Sequence, residues 1–159
     1  MSNQLKQTIK NMVVAGKGIL AADESAKTAA KRLASINVES TEETRRQYRN
    51  LILTAPGMEE YICGVILFEE TLHQKSGSGI LFPELLEKNG IVPGIKVDDG
   101  LVDLEGHPGE QCAKGIETLG KRLEEYKKSR PRFAKWRAVY SISENTPSDL
   151  LIKKNAEDL

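Results

Sequence analysis

Charged residues set inside otherwise apolar runs are the part of this sequence with the means to do chemistry. The run Gly18-Ile-Leu-Ala-Ala-Asp23 ends on an aspartate, with Glu24 directly after it. Val92-Pro-Gly-Ile-Lys-Val-Asp98 carries Lys96 and Asp98 two positions apart, which puts both on one face of an extended strand. Lys135 and Arg137 stand in the same relation around Trp136. A charge buried alone is expensive, so such cations need anions, either from the protein or from a ligand. Two carboxylates, Asp23 and Asp98, gathered with Lys96, Lys135 and Arg137 would suit a phosphorylated, anionic substrate. The same cluster would shift lysine and carboxylate pKa values in the way acid–base chemistry requires. Taken singly, each residue has a plainer reading. A strand lysine can face water at a sheet edge, Lys135 and Arg137 can snorkel around a buried Trp136, and Asp23 can cap the next helix. Recurrence in three separate runs sets the pocket level with these plainer readings.

Other chemistries find less support. His73 and His107 are the two histidines, and neither has a neighbour at metal-ligand spacing. Cys63 and Cys112 are far apart and form no metal or redox motif. No nucleophile elbow or Walker loop is present. Ser76-Gly-Ser-Gly79 reads as a flexible loop, and the pairs Lys127-Lys128 and Lys153-Lys154 as solvated helix surface. Across 159 residues, 23 Lys and Arg balance 23 Asp and Glu. With no net charge there is no global field to recruit nucleic acid or an anionic membrane. The amino terminus lacks a signal or transit pattern, and no apolar run approaches the roughly 20 residues of a membrane span. A cytoplasmic protein is expected.

The elements that would position these charges alternate. Leu5, Ile9, Met12 and Val13 recur at helical spacing. A strand over 18–23 follows, then a helix capped by Ser25, then another opened by a capping box of Ser40 and Glu43. The second strand is expected over 61–68, apolar on both faces as in a covered parallel sheet. A short helix starts at Pro83, the third strand covers 92–98, and 101–110 forms a small hairpin. A helix over 111–128, a fourth strand over 133–142 and a last helix opened by 146–149 complete the order. Alternation of this kind makes a parallel α/β sheet. These are four β/α units, the first half of a (β/α)8 barrel, which typically needs about 250 residues. The doubly wound alternative lacks the Gly-x-Gly-x-x-Gly turn after a strand. Barrel active sites lie at the carboxyl ends of the strands. Asp23 and Asp98 fall there, whereas Lys135 and Arg137 lie nearer the start of 133–142. The closing segment, 150–159, has no glycine stop and reads as cut within a single barrel domain spanning 1–159.

Four strings, Gly18-Ile-Leu-Ala-Ala-Asp-Glu-Ser25, Gly64-Val-Ile-Leu-Phe68, Gly94-Ile-Lys-Val-Asp98 and Phe133-Ala-Lys-Trp-Arg137, resemble class I fructose-bisphosphate aldolase in order and interval. Lys31-Arg-Leu33 and Thr41-Glu-Glu-Thr-Arg-Arg46 resemble that family's helices. The resemblance implies reversible cleavage of fructose 1,6-bisphosphate into two triose phosphates through a lysine Schiff base, with no metal and no cofactor. It assigns Asp23, Lys96 and Lys135 to catalysis. Asp23 would deprotonate the substrate hydroxyl, and Lys135 would assist imine formation. Arg32, Arg45, Lys135 and Arg137 would bind substrate, the first two at its phosphate end, although without the resemblance a helix-surface ion pair is the better reading of Arg32 and Arg45. Asp99 stands where the family usually has a lysine. The family's nucleophilic lysine and general-acid glutamate belong to later strands, so this polypeptide is expected to be inactive by itself. A homotetramer is expected of a complete chain. The alternative is a non-catalytic half-barrel whose open strand edges lead it to self-associate or bind a partner.

Overall fold

The computed structural model describes residues 3–159. Its elements are α1 (Asn3–Met12), β1 (Gly18–Ala22), α2 (Ala26–Ala34), α3 (Glu42–Leu53), α4 (Met58–Tyr61), β2 (Ile62–Leu67), α5 (Glu69–His73), α6 (Phe82–Lys88), β3 (Val92–Lys96), β4 (Leu101–Asp103), β5 (Gln111–Ala113), α7 (Leu119–Tyr126), β6 (Phe133–Lys135) and α8 (Asp149–Asp158). The chain divides into two compact units, 1–96 with 126–134 and 97–125 with 135–159.

In the first unit, β1 pairs in parallel with β2, and β2 with β3. The sheet order is β1-β2-β3-β6, and the first two residues of β6 belong to this unit. Alternation gives the sheet two unlike faces. Ala22, Val65, Leu67 and Ile95 are at most 1% exposed, whereas Ile19 on the other face is 46% exposed. Helices supply the covered layer: α6 packs on β3, and α1 meets both β2 and β3. Ser25 begins α2 by accepting the Thr28 N–H at 3.3 Å. At the start of α3 the reciprocal cap is made by Thr41 and Thr44, one residue after the expected Ser40–Glu43 box. A hydroxyl at Thr44 reaches the Thr41 N–H at 2.9 Å, so a threonine serves where glutamate was expected.

On the open face, two glycines make a slot. Gly64 and Gly94 sit on adjacent strands, and the ring of Phe133 lies across both. A Cβ on Gly94 would stand within 2.5 Å of three atoms of that ring. The aromatic body of β6 therefore rests on bare backbone of β3.

In the second unit, β4 and β5 form an antiparallel hairpin, with Leu101 opposite Ala113 and Asp103 opposite Gln111. The expected hairpin is present, but the expected helix over 111–128 is not continuous. Its first residues are consumed by β5, Gly115 turns with φ of 102°, a 3-10 turn spans Ile116–Thr118, and α7 starts only at Leu119. The fourth strand is likewise shorter than the expected 133–142, for a physical reason. The Val97 N–H donates to the Lys135 carbonyl at 3.0 Å. Beyond it the chain leaves for the hairpin, where the Asp99 N–H bonds Lys114. Residues 136–142 thus have no ladder partner, and Ile142 is 85% exposed. In this unit α8 packs on β5, and Ser148 caps it by accepting the Leu151 N–H at 3.2 Å.

The slot is testable. Gly94→Ala is expected to cost about 1–3 kcal/mol in urea unfolding, the usual range for overpacking. Gly18→Ala, whose Cβ would meet nothing within 4 Å, should cost far less. Equal losses from the two would refute the slot.

Candidate active site

The connection from β1 to α2 carries Asp23 and Glu24, and Glu24 is the more tightly held. Its carboxylate pairs with Arg32 of α2 through Oε1 at 2.5 Å and with Arg49 of α3 through Oε2. The Tyr48 hydroxyl donates to Oε1 at 3.0 Å, and Arg49 Nη2 donates to the Glu24 carbonyl at 2.7 Å. Arg32 Nη1 also donates to the Tyr48 hydroxyl at 2.7 Å. The Arg49 side chain is 4% exposed and that of Glu24 11%, so this is a nearly enclosed charge pair. Burial opposes ionisation of Glu24, but its backbone hydrogen bond and the Arg49 guanidinium outweigh it and hold the carboxyl below its ordinary 4.5. The loop that presents Asp23 is thereby fixed to two helices.

Asp23 lies one residue past β1 and Lys96 is the last residue of β3. The cross-strand row Ala22–Leu67–Ile95 joins the residues just before them. Both therefore stand at the carboxyl end of the sheet, and both are half-buried. By alternation Lys96 belongs to the face of Gly94, the open one. Arg45 on α3 holds Glu70 with two parallel donations, Nε to Oε2 at 2.9 Å and Nη2 to Oε1 at 2.5 Å. Its Nη1 donates to the Ser40 carbonyl at 3.2 Å. Arg32 and Arg45 are thus both engaged in ion pairs, the arrangement the sequence allowed as an alternative to phosphate contact.

In the second unit, Lys135 ends β6, at that strand's carboxyl end and not near its start as the longer expected strand implied. Arg137 Nη2 pairs with Asp98 Oδ1 at 2.9 Å, and the Asp98 side chain is fully enclosed. Asp99 pairs with Arg122 at 3.2 Å. The same guanidinium donates to the Val97 carbonyl at 2.8 Å and the Gly115 carbonyl at 2.7 Å. A Cβ at Gly115 would come within 2.4 Å of Asp99 Oδ2. Asp99 is accordingly a structural partner of Arg122. Sequence reasoning missed Arg122, Arg49 and Tyr48. The one available signal was the spacing of Arg45 and Arg49, which lie one turn apart on α3. Among the described residues no group of three or more His, Cys, Asp or Glu is placed to hold a metal ion.

A model of the family described as glycolytic, fructose-bisphosphate aldolase class-I, matches residues 4–159. The chain belongs to this family. It is 51% identical over 158 residues to fructose-bisphosphate aldolase, cytoplasmic isozyme 1, of Pisum sativum, covering 99% of this chain and 44% of the relative. It is 50% identical over 156 residues to a probable fructose-bisphosphate aldolase class 1 of Xylella fastidiosa, covering 98% of this chain and 47% of that one. Among solved structures, fructose-bisphosphate aldolase from Plasmodium falciparum, in a ternary complex with TRAP and a small molecule inhibitor, superposes with a TM-score of 0.91 at 45% identity. That match covers 96% of this chain and 45% of the other. The chain thus spans less than half the length of these relatives, and its described residues make the first four β/α units of a (β/α)8 barrel. No described helix is long and apolar enough to cross a membrane.

The Glu24 network makes two predictions. Arg49→Met should cost roughly 3 kcal/mol, because it leaves an enclosed carboxylate short of a partner; a loss below about 0.5 kcal/mol would contradict the enclosure. The second concerns pH. A carboxyl whose folded pKa is depressed contributes stability above its unfolded pKa and loses it as pH falls through the folded value. The stability advantage of the native chain over Glu24→Gln should therefore be full above its ordinary 4.5 and shrink below it. Glu43, held down to about 2 by its hydrogen bond from Arg46, is common to both proteins and cancels. A difference in unfolding free energy that stays constant from about pH 6 to about pH 3 would refute the network.

Proposed function

We propose that the chain carries the amino-terminal half of one barrel domain of a Schiff-base fructose-bisphosphate aldolase, cleaving fructose 1,6-bisphosphate to glyceraldehyde 3-phosphate and dihydroxyacetone phosphate. The observation that carries the proposal is the family match running unbroken through residues 4–159, with Asp23, Lys96 and Lys135 each at or next to the carboxyl end of a strand. In this reading a lysine outside these residues forms the imine with the substrate's ketone, losing water. Asp23 takes the proton of the C4 hydroxyl as the C3–C4 bond breaks, and the bond's electrons pass into the iminium. Lys96 neutralises charge beside Asp23. Lys135 serves proton transfer to and from the imine nitrogen, and Arg137, set by Asp98, contacts the substrate. Arg32 and Arg45 meet its phosphate end by exchanging part of their present carboxylate contacts for phosphate oxygens. No metal or cofactor is invoked, because the imine is itself the electron sink. The cytoplasmic name of the pea relative favours a cytoplasmic site of action, and a homotetramer is the expectation for a full-length chain.

Borohydride trapping with dihydroxyacetone phosphate, read by intact mass, tests the assignment. The 159-residue polypeptide should give no substrate-dependent adduct, while the pea relative treated in parallel is labelled. An adduct would place the nucleophile within this sequence and overturn the division of roles. In a chain joined to the remaining portion of the pea relative, Asp23→Asn and Lys135→Met should each lower kcat by about a hundredfold or more. Unchanged kcat in either variant would remove that residue from the mechanism.

A further inference from the structure

We propose that a cleft at the amino-terminal end of the first unit's sheet binds a small anion bearing a phosphate or pyrophosphate group. One cavity of about 590 Å³ is lined by Gln4 and Thr8 of α1, Glu87 of α6, and Lys127, Arg130 and Arg132 of the segment leading into β6. A second, of about 200 Å³, shares Thr8, Glu87 and Arg132 and continues past Gly90 and Pro93 to the start of β3. The shared walls make one cleft. Its size lies within the range of small-molecule sites.

Its charge is what sets it apart. Two arginines, Arg130 and Arg132, share the lining with a single carboxylate, Glu87, in a chain with no net charge. Concave walls concentrate the potential of the two guanidinium groups, which suit phosphate oxygens. Leu5 and Pro131 offer an apolar surface beside it. Arg132 is also fixed in place. Its backbone N–H donates to the Pro93 carbonyl at 2.7 Å, and its Nη2 donates to Thr8 Oγ1 at 2.9 Å. Thr8 is 5% exposed and donates in turn to the Gln4 carbonyl at 3.0 Å. A guanidinium has five N–H donors, so a single bond to Thr8 orients the group while leaving it capable of a forked contact with phosphate oxygens. The cleft is separate from the candidate active site. Asp23 and Lys96 stand at the opposite ends of β1 and β3, about 16 Å away along five-residue strands.

The probe is inorganic pyrophosphate, titrated into the 159-residue polypeptide and followed by backbone amide shifts. Saturable shifts are expected at Gln4, Gly90 and Arg132. Arg130→Met and Arg132→Met should each weaken binding about tenfold, the loss of one charge-assisted contact, and Lys96→Met should leave it unchanged. Arg130 is exposed, so its variant keeps the test valid even if Arg132→Met disturbs folding. Absence of saturation, equal affinity in Arg130→Met, or loss of binding in Lys96→Met alone would each overturn the proposal.

Discussion

A carboxylate that is nearly closed off from water must be answered by cations, and Glu24 is answered from two helices at once. Arg32 comes from α2, while Tyr48 and Arg49 come from α3. Because Glu24 directly follows Asp23, this constraint fixes the peptide that carries the proposed proton acceptor. Desolvation makes the pairing obligatory, since neither Arg49 nor Glu24 can turn to solvent for compensation. The contact between α2 and α3, the direction of the loop after β1 and the position of Asp23 all depend on that one charge being satisfied.

The sheet follows a second logic. Its covered face is a continuous aliphatic layer under helices, whereas its open face mixes glycine, half-exposed Ile19 and the charged Lys96. On that face the glycines make room for the Phe133 ring, and Lys96 stands at the carboxyl end. The second unit repeats the principle on a smaller scale. Asp98 and Asp99 are adjacent, yet each is committed to a different arginine, Arg137 and Arg122. One carboxylate is enclosed and the other half-exposed, so neighbours in sequence serve unlike ends.

The parts legible in the sequence were those with a local cause. The first three strands were bounded to within one or two residues because glycine and charge interrupt their apolar runs. Ser25 announced α2 in the same way. The short helices α4 and α5 offered too few residues for a period to emerge, and Gln111-Cys-Ala was absorbed into the helix pattern that follows it. Residues 136–142 look like strand because Trp136, Val139, Tyr140 and Ile142 are good strand formers, but a strand also needs a neighbour, which sequence does not display. At the site, charges embedded in strands were visible as breaks in pattern. Their partners were not, because Arg49 lies 25 residues from Glu24 and only the fold brings them together.

The bed of Gly64 and Gly94 beneath Phe133 also bears on the order of folding. It comes into being only when β2 and β3 have paired in the right register, since the two glycines belong to different strands. Until then the ring has no shaped surface to fill, and residues 95–132 form a long closing loop whose entropy opposes its arrival. The geometry therefore sets the pairing of β2 with β3, whose crossover over 68–91 is the shortest in the sheet, before β6, which is seated as a ring dropped into a finished socket.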